Sequence, residues 1–185
     1  MRLLALLFTL LLFSCSTDTT INISDYPVIT TINELSDYYD LNIDTSSKYI
    51  STTLTHYWDG SSDLEYVYEQ LEDESFDPLY YSISISKDLT ISDAISNYSI
   101  ALGTLKTVGN MSGQGTIEID SLDLPGDNSY YAIRTSNGSP NGLFFSVRKG
   151  TTIYTLVLSG LNFEDHTLLT DLILPEIENL ESVEL

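Results

Sequence analysis

From Lys48 onward the chain alternates apolar and polar residues with the period of a β-strand, so that Ile50, Thr52, Leu54, His56 and Trp58 share one face. Asp59-Gly60-Ser61-Ser62 reads as a turn, and the Tyr- and Val-rich run 64–71 completes a β-hairpin. Residues 79–86 form a third strand, with Tyr81, Ile83 and Ile85 on one face. The period then changes. Ile91, Ile95, Tyr98, Leu102 and Leu105 fall at helical spacing and predict one apolar stripe of an amphipathic helix. Thr90 or Ser92 can cap it, Asp93 and Lys106 suit the two ends of its dipole, and Gly109 ends it. Strands follow at about 116–122, 128–136, 142–149 and 151–159. Turns fall at 125–128 and 137–142, and a tighter one at Lys149-Gly150-Thr151. A last helix is predicted from near Glu164, with Leu168, Leu169, Leu172 and Ile173 on its apolar side. Pro175 should kink or restart it, and Ile177 and Leu180 can continue the stripe. Earlier in the chain, 34–39 fits either a strand or a short helix.

The order is therefore β-β-β-α-β-β-β-β-α, with connections short enough to make sequential strands antiparallel. The fold class this predicts is α+β: a twisted antiparallel sheet of about six to seven strands, flanked by two main helices. The 13 tyrosines and the many β-branched residues lean the same way, because both suit pleated, half-buried surfaces.

Residues 1–14 carry a different pattern. Arg2 precedes an apolar run, 3–13, broken only by Thr9. As a helix it is about 17 Å long, whereas a spanning helix needs about 20 apolar residues. It fits the core of an export signal. The sequence Leu12-Phe13-Ser14-Cys15 then resembles the lipobox of bacterial lipoproteins: an aliphatic residue, a tolerant position, a small residue and cysteine. The resemblance implies a diacylglyceryl group on the Cys15 sulfur, cleavage before Cys15, and usually acylation of the freed amine. Two or three chains suffice for stable anchoring. By the same analogy Ser16, in place of Asp, favours the outer over the inner membrane. The predicted organisation is a signal peptide at 1–14, a lipidated and flexible tether at 15–26, and a single domain at 27–185.

Composition narrows the partners. Acidic residues number 27 against 7 basic, a formal charge of −20, which repels phosphate backbones and anionic lipid headgroups. Nucleic acid is excluded as a partner, and the lipid rather than a basic patch must provide the anchor. Cys15 is the sole cysteine, so an exported chain of this kind has no disulfide and must rest on its core.

The element order, the strand Gly-Thr-Thr-Ile-Tyr-Thr-Leu-Val-Leu-Ser-Gly at 150–160 and the closing helix together resemble the PsbP-like α/β/α sandwich. That family includes photosystem extrinsic subunits and bacterial lipoproteins of the DcrB kind. Members commonly place Ser-Phe after the last helix, where Glu181-Ser182-Val183 stands here. The resemblance covers 27–185, brings no shared catalytic residues, and implies a scaffold, assembly factor or binding module at a membrane.

A search for chemistry finds little that converges. Only His56 and His166 are available as bases, and Gly138-Ser139-Pro140-Asn141-Gly142 lacks the spacing of a nucleophile elbow. The Gly-rich stretch 109–115 has no P-loop lysine and follows a helix rather than opening one. The best oxygen-donor set for calcium is Asp59, Asp63 and Glu65 around the first hairpin turn, although it lacks the EF-hand pattern. Glu69, Glu72, Asp73, Glu74 and Asp77 read as a solvated loop. Tyr57, Tyr66, Tyr68, Tyr80 and Tyr130 could line a ligand face, but sheet packing is the commoner use. The leading expectation is a lipid-anchored, non-enzymatic envelope module with a membrane attachment through Cys15 and an envelope protein as partner. The alternatives are a calcium-binding protein and a hydrolase with an unrecognised carboxylate site.

Overall fold

The computed structural model describes residues 21–70, 79–108, 114–120, 122–161 and 166–185. The predicted signal, the lipobox residues and the loop 72–77 lie outside the described residues. Seven strands form one antiparallel sheet: β1 (Ile50–His56), β2 (Ser62–Glu69), β3 (Tyr80–Lys87), β4 (Gln114–Glu118), β5 (Asn128–Ser136), β6 (Ser139–Lys149) and β7 (Thr152–Ser159). Their spatial order is β1-β2-β3-β7-β6-β5-β4. Two meanders thus meet where β3 pairs with β7, with Ile83 opposite Leu156. Helices lie on both faces, so the α+β class read from the sequence holds.

Register puts one side chain in two on a common face. Leu64, Ile85, Tyr154 and Val147 stand across the sheet from one another, as do Tyr66, Ile83, Leu156 and Phe145. All eight are buried. Two chain ends cover this face. The first is the N-terminal segment, with α1 (Ile32–Tyr39) burying Ile32 and Leu35. Its start is fixed by a capping box: Thr31 accepts from the Glu34 N–H, and the Glu34 carboxylate accepts from the Thr31 N–H at 2.6 Å. The ambiguous stretch 34–39 is therefore helical, because the box satisfies the donors that a strand would leave open. Packing begins earlier than the tether boundary anticipates, since Ile21, Ile23 and Tyr26 already rest on the core.

The second cover is the C-terminal segment α3, made of wide π-type turns at Leu168–Ile173 followed by an α turn at Leu174–Ile177. Pro175 has no N–H to give to the carbonyl four residues earlier, and the wide turns end there. The apolar stripe nevertheless continues, with Ile177 and Leu180 fully buried.

Three tyrosines tie the N-terminal segment to the sheet. The Tyr81 hydroxyl donates to the Thr30 carbonyl at 2.7 Å, and the Tyr66 hydroxyl accepts from the Ile32 N–H at 3.1 Å. The Tyr68 hydroxyl donates to the Asp44 carbonyl at 3.1 Å. Sheet packing is thus the use of Tyr66 and Tyr68, and Tyr130 is buried beneath a helix on the opposite face.

That opposite face is covered by α2 (Ile91–Val108), capped by Thr90, whose hydroxyl accepts from the Asp93 N–H at 3.1 Å. Leu105 and Leu102 pack on Tyr130, Ala132, Phe144 and Val157. The buried stripe differs from the expected one: Ala94, Tyr98 and Leu105 are buried, while Ile91 and Ile95 are exposed. The reason lies in the sheet. On this face β6 continues from Phe144 to Ser146 and Arg148, so the helix's first half meets polar residues, and small Ala94 rather than an isoleucine faces them. Arg148 is 5% exposed and bonded on every side. Its guanidinium donates to Asp127 at 2.8 Å, to Asn128 at 2.9 Å and to the Gly150 carbonyl at 2.8 Å.

Backbone conformation at three residues sets one turn and one close strand approach. Between β5 and β6, Asn137 (φ 50°) and Gly138 (φ 80°) both take left-handed conformations, a two-residue turn shorter than the 137–142 loop expected. Gly142 (φ 135°) sits where a Cβ would stand 2.1 Å from the Leu158 carbonyl oxygen, so only glycine lets β6 lie this close to β7.

The tyrosine bonds separate two superficially similar substitutions. Tyr81→Phe strands the buried Thr30 carbonyl and should cost about 1–3 kcal/mol in denaturant unfolding. The Tyr154 hydroxyl is buried with no hydrogen-bond partner among the described residues, so Tyr154→Phe should be neutral or stabilising. Equal losses in the two variants would refute this account of the core.

Candidate functional site

α2 crosses β6 and β7 and leaves the outer face of β1, β2 and β3 open. Alternation places Thr53 and Thr55 of β1, Asp63 and Glu65 of β2, and Ser84 and Ser86 of β3 side by side there. A hollow of about 260 Å³ follows these residues up to Tyr57. It runs into a second of about 360 Å³ that reaches Asp59 and Asp88, and a third of about 330 Å³ bounded by Asp93 and Asn97 of α2. Together they form a solvent-open groove between the first hairpin and the start of α2. Five carboxylates line it, and among the described residues no basic side chain does.

Each carboxylate has its own surroundings. Asp63 accepts a 2.8 Å hydrogen bond from the Tyr57 hydroxyl. That bond and partial burial push the Tyr57 phenol up to about 12. Asp59 accepts from the Ser61 N–H at 3.0 Å and the Ser61 hydroxyl at 2.7 Å, which hold its carboxyl below the usual range. Asp88 is the outlier. Its Oδ1 accepts from Asn97 at 2.8 Å, but its Oδ2 is buried with no hydrogen-bond partner among the described residues. Desolvation raises its pKa, opposed by the Asn97 bond and reinforced by the charges of Asp63, Asp93 and Asp59.

The expected calcium donors are thus brought to one groove, but not into one cage. Asp63 and Glu65 lie on the outer face of β2, whereas Asp59 belongs to the turn and is tied to Ser61. Among the described residues no three Asp, Glu, His or Cys side chains stand close enough to hold one metal ion. Asp59 and Asp88 shift in opposite directions, the first through its hydrogen bonds to Ser61 and the second through desolvation.

The histidines lie apart. His56 Nδ1 is 2.9 Å from the Ser62 hydroxyl across the hairpin. His166 Nδ1 is 3.0 Å from the Tyr131 hydroxyl, with the rings edge to face at 5.3 Å. Trp58 leaves the β1 face assigned to it by alternation: the chain turns at Tyr57, whose N–H binds the Ser61 carbonyl, and the indole stands 92% exposed.

Sequence reasoning missed Asp88, Asp93 and the hydroxyl row. Asp88 sits in the strand-to-helix connection and carries no signal of its own, and Asp93, in the first turn of α2, reads only as a match to the helix dipole. The row was visible in the alternation of Ser82, Ser84 and Ser86 against Tyr81, Ile83 and Ile85, but serine at strand spacing reads as a plain solvent face.

Asp88 gives the groove a pH signature. Its raised folded-state pKa means its contribution to stability is fully present below the unfolded value and is lost as pH rises through the folded value. Asp88→Asn should therefore melt higher than wild type at pH 7, and the gap should close as pH falls below the ordinary carboxylate range. A gap that does not depend on pH would contradict the electrostatic origin.

No helix among the described residues is long and apolar enough to cross a membrane. Comparison with protein-family models, with curated proteins and with solved structures finds no match to this chain in any of the three.

Proposed function

We propose that the protein is a lipid-anchored domain of the bacterial cell envelope, outer membrane favoured, that works by binding rather than catalysis. Its binding surface is the open half of the outer sheet face. The observation that carries this reading is the asymmetry of the sheet. Among the described residues, one face is closed by both chain ends, while the other is covered by α2 over β5, β6 and β7 and by nothing over β1 and β2. A surface that the fold leaves uncovered, lined by carboxylates and hydroxyls, favours a partner with positive charge. The lipobox-like sequence before Cys15 supplies the tether, and the PsbP-like element order is in keeping with a non-enzymatic module.

The test is capture from the native envelope after crosslinking in cells. A partner should be recovered with the wild-type protein and lost with the double charge reversal Asp63→Lys, Glu65→Lys. It should be retained with Asp37→Lys, an exposed position on α1, which covers the opposite face of the sheet. Equal recovery from all three would sink the groove as the binding surface. Loss on Cys15→Ala alone would tie binding to the anchor.

Calcium is the second reading: Asp59, Asp63 and Asp88 line one hollow without forming a ready-made cage, so a cation would have to draw them together. Binding to the native state alone at about 100 times Kd would add about 2.7 kcal/mol. A rise in Tm with millimolar calcium at matched ionic strength, absent in Asp63→Asn, would support it. No rise at saturating calcium would end it.

A further inference from the structure

Eight large apolar side chains are exposed among the described residues, and five gather at one end of the molecule: Tyr57, Trp58, Leu89, Ile91 and Ile95. Trp58, at 92% exposure, is held out on the β1–β2 turn, and Leu89 packs beneath that turn, its Cδ2 3.4 Å from where a Gly60 Cβ would stand. Ile91 opens α2 directly after β3, beside the β6–β7 turn, where the Asp88 N–H binds the Thr151 carbonyl. Single exposed apolar residues need no explanation, but several at one end of the molecule, an outstretched indole among them, mark a contact surface.

The chain also joins the domain at this end. Asp25 and Tyr26 share a cavity of about 360 Å³ with Val183 and Glu184. The Val183 carbonyl accepts from the Lys87 ammonium. Lys87 stands opposite Ser62, and Ser62 opposite His56, the two residues that flank the Trp58 turn. Six peptide links separate Cys15 from Ile21. Even fully extended, they reach about 20 Å. A lipid on Cys15 would keep this end of the domain close to the bilayer.

We propose that this end is a membrane-facing surface: with the protein held by its N-terminal lipid, Trp58, Leu89 and Ile91 sit in the headgroup layer of a zwitterionic bilayer. The inference rests on the lipid anchor argued above. Tryptophan prefers that layer because its ring is apolar and its N–H still finds a partner there. The choice of zwitterionic lipid follows from charge. Asp59 is next in sequence to Trp58, and Asp63, Asp88 and Asp93 lie in the adjoining groove, so an anionic surface repels this end.

Trp58 is the sole tryptophan of the chain, so its emission reports this surface without labelling. The protein, purified from membranes, is reconstituted into phosphatidylcholine vesicles with and without brominated acyl chains. The inference expects co-sedimentation, a blue shift of Trp58 emission relative to the detergent-free Cys15→Ala protein, and quenching by brominated lipid. Leu89→Glu, Ile91→Glu or a large fraction of phosphatidylglycerol should each at least halve the quenching. Co-sedimentation with Trp58 still emitting as in water would overturn the inference and leave the anchor standing. A blue shift without bromine quenching would assign the surface to protein contact instead, and overturn it too. Failure of the wild-type protein to sediment would remove the anchor and the inference together.

Discussion

Two buried hydroxyls, those of Tyr66 and Tyr81, allow an irregular segment to lie on an otherwise apolar sheet. A backbone crossing such a face brings N–H and C=O groups that must be bonded away from water. Tyr81 takes the Thr30 carbonyl and Tyr66 the Ile32 N–H, and the capping box at Thr31 and Glu34 satisfies the next donors, so α1 can start directly on the sheet. With this seat in place Ile32 and Leu35 close one half of the face. α3 closes the other half through Leu168, Leu169, Ile173 and Ile177, and Thr30 reaches across to the Leu172 carbonyl at 3.4 Å. The fold has no disulfide to fall back on, so this closure by the two chain ends supports everything else.

The same economy explains the asymmetry of the two faces. Both chain ends are committed to one face, and a single long helix remains for the other. α2 follows the apolar strip of Tyr130, Ala132, Phe144 and Val157, and Lys106 at its far end meets Glu118 of β4 at 2.8 Å. Among the described residues nothing covers β1 and β2, whose outer face carries Ser51, Thr53, Thr55, Asp63 and Glu65, with Val67 as its one apolar member. The groove follows from how the chain distributes its covering elements. Its acidity follows from the turn at Asp59 and the strand-to-helix connection at Asp88 meeting across it. The buried Arg148 cluster anchors that corner, because Asp127 and the Gly150 carbonyl fix the β6–β7 turn on which the start of α2 rests.

Much of this was legible from residue spacing. Period-two alternation placed Tyr81, Ile83 and Ile85 inside, and tyrosine with β-branched residues identified the sheet. Lys149-Gly150-Thr151 was readable as a tight turn. The misread features share one cause: they depend on what lies opposite. Ile91 and Ile95 fit a helical stripe on spacing alone, and only the polar Ser146 and Arg148 beneath show why the helix turns them away. Trp58 fits the alternation of β1 until the Tyr57–Ser61 bond ends the strand. Asp59, Asp63 and Glu65 were legible as donors because they are near in sequence, whereas Asp88 and Asp93 join them only through the sheet and the helix start.

The central proposal is that one face is closed by the chain ends while the hairpin end and the open face meet the envelope. Amide hydrogen exchange, compared between the protein in its own membrane vesicles and the same protein extracted into detergent, tests both halves at once. The account expects exchange in the membrane to slow along 51–55 and 57–61, with 32–39 and 168–177 equally protected in both states. Uniform exchange across the two states, or a change confined to 32–39 and 168–177, would contradict it.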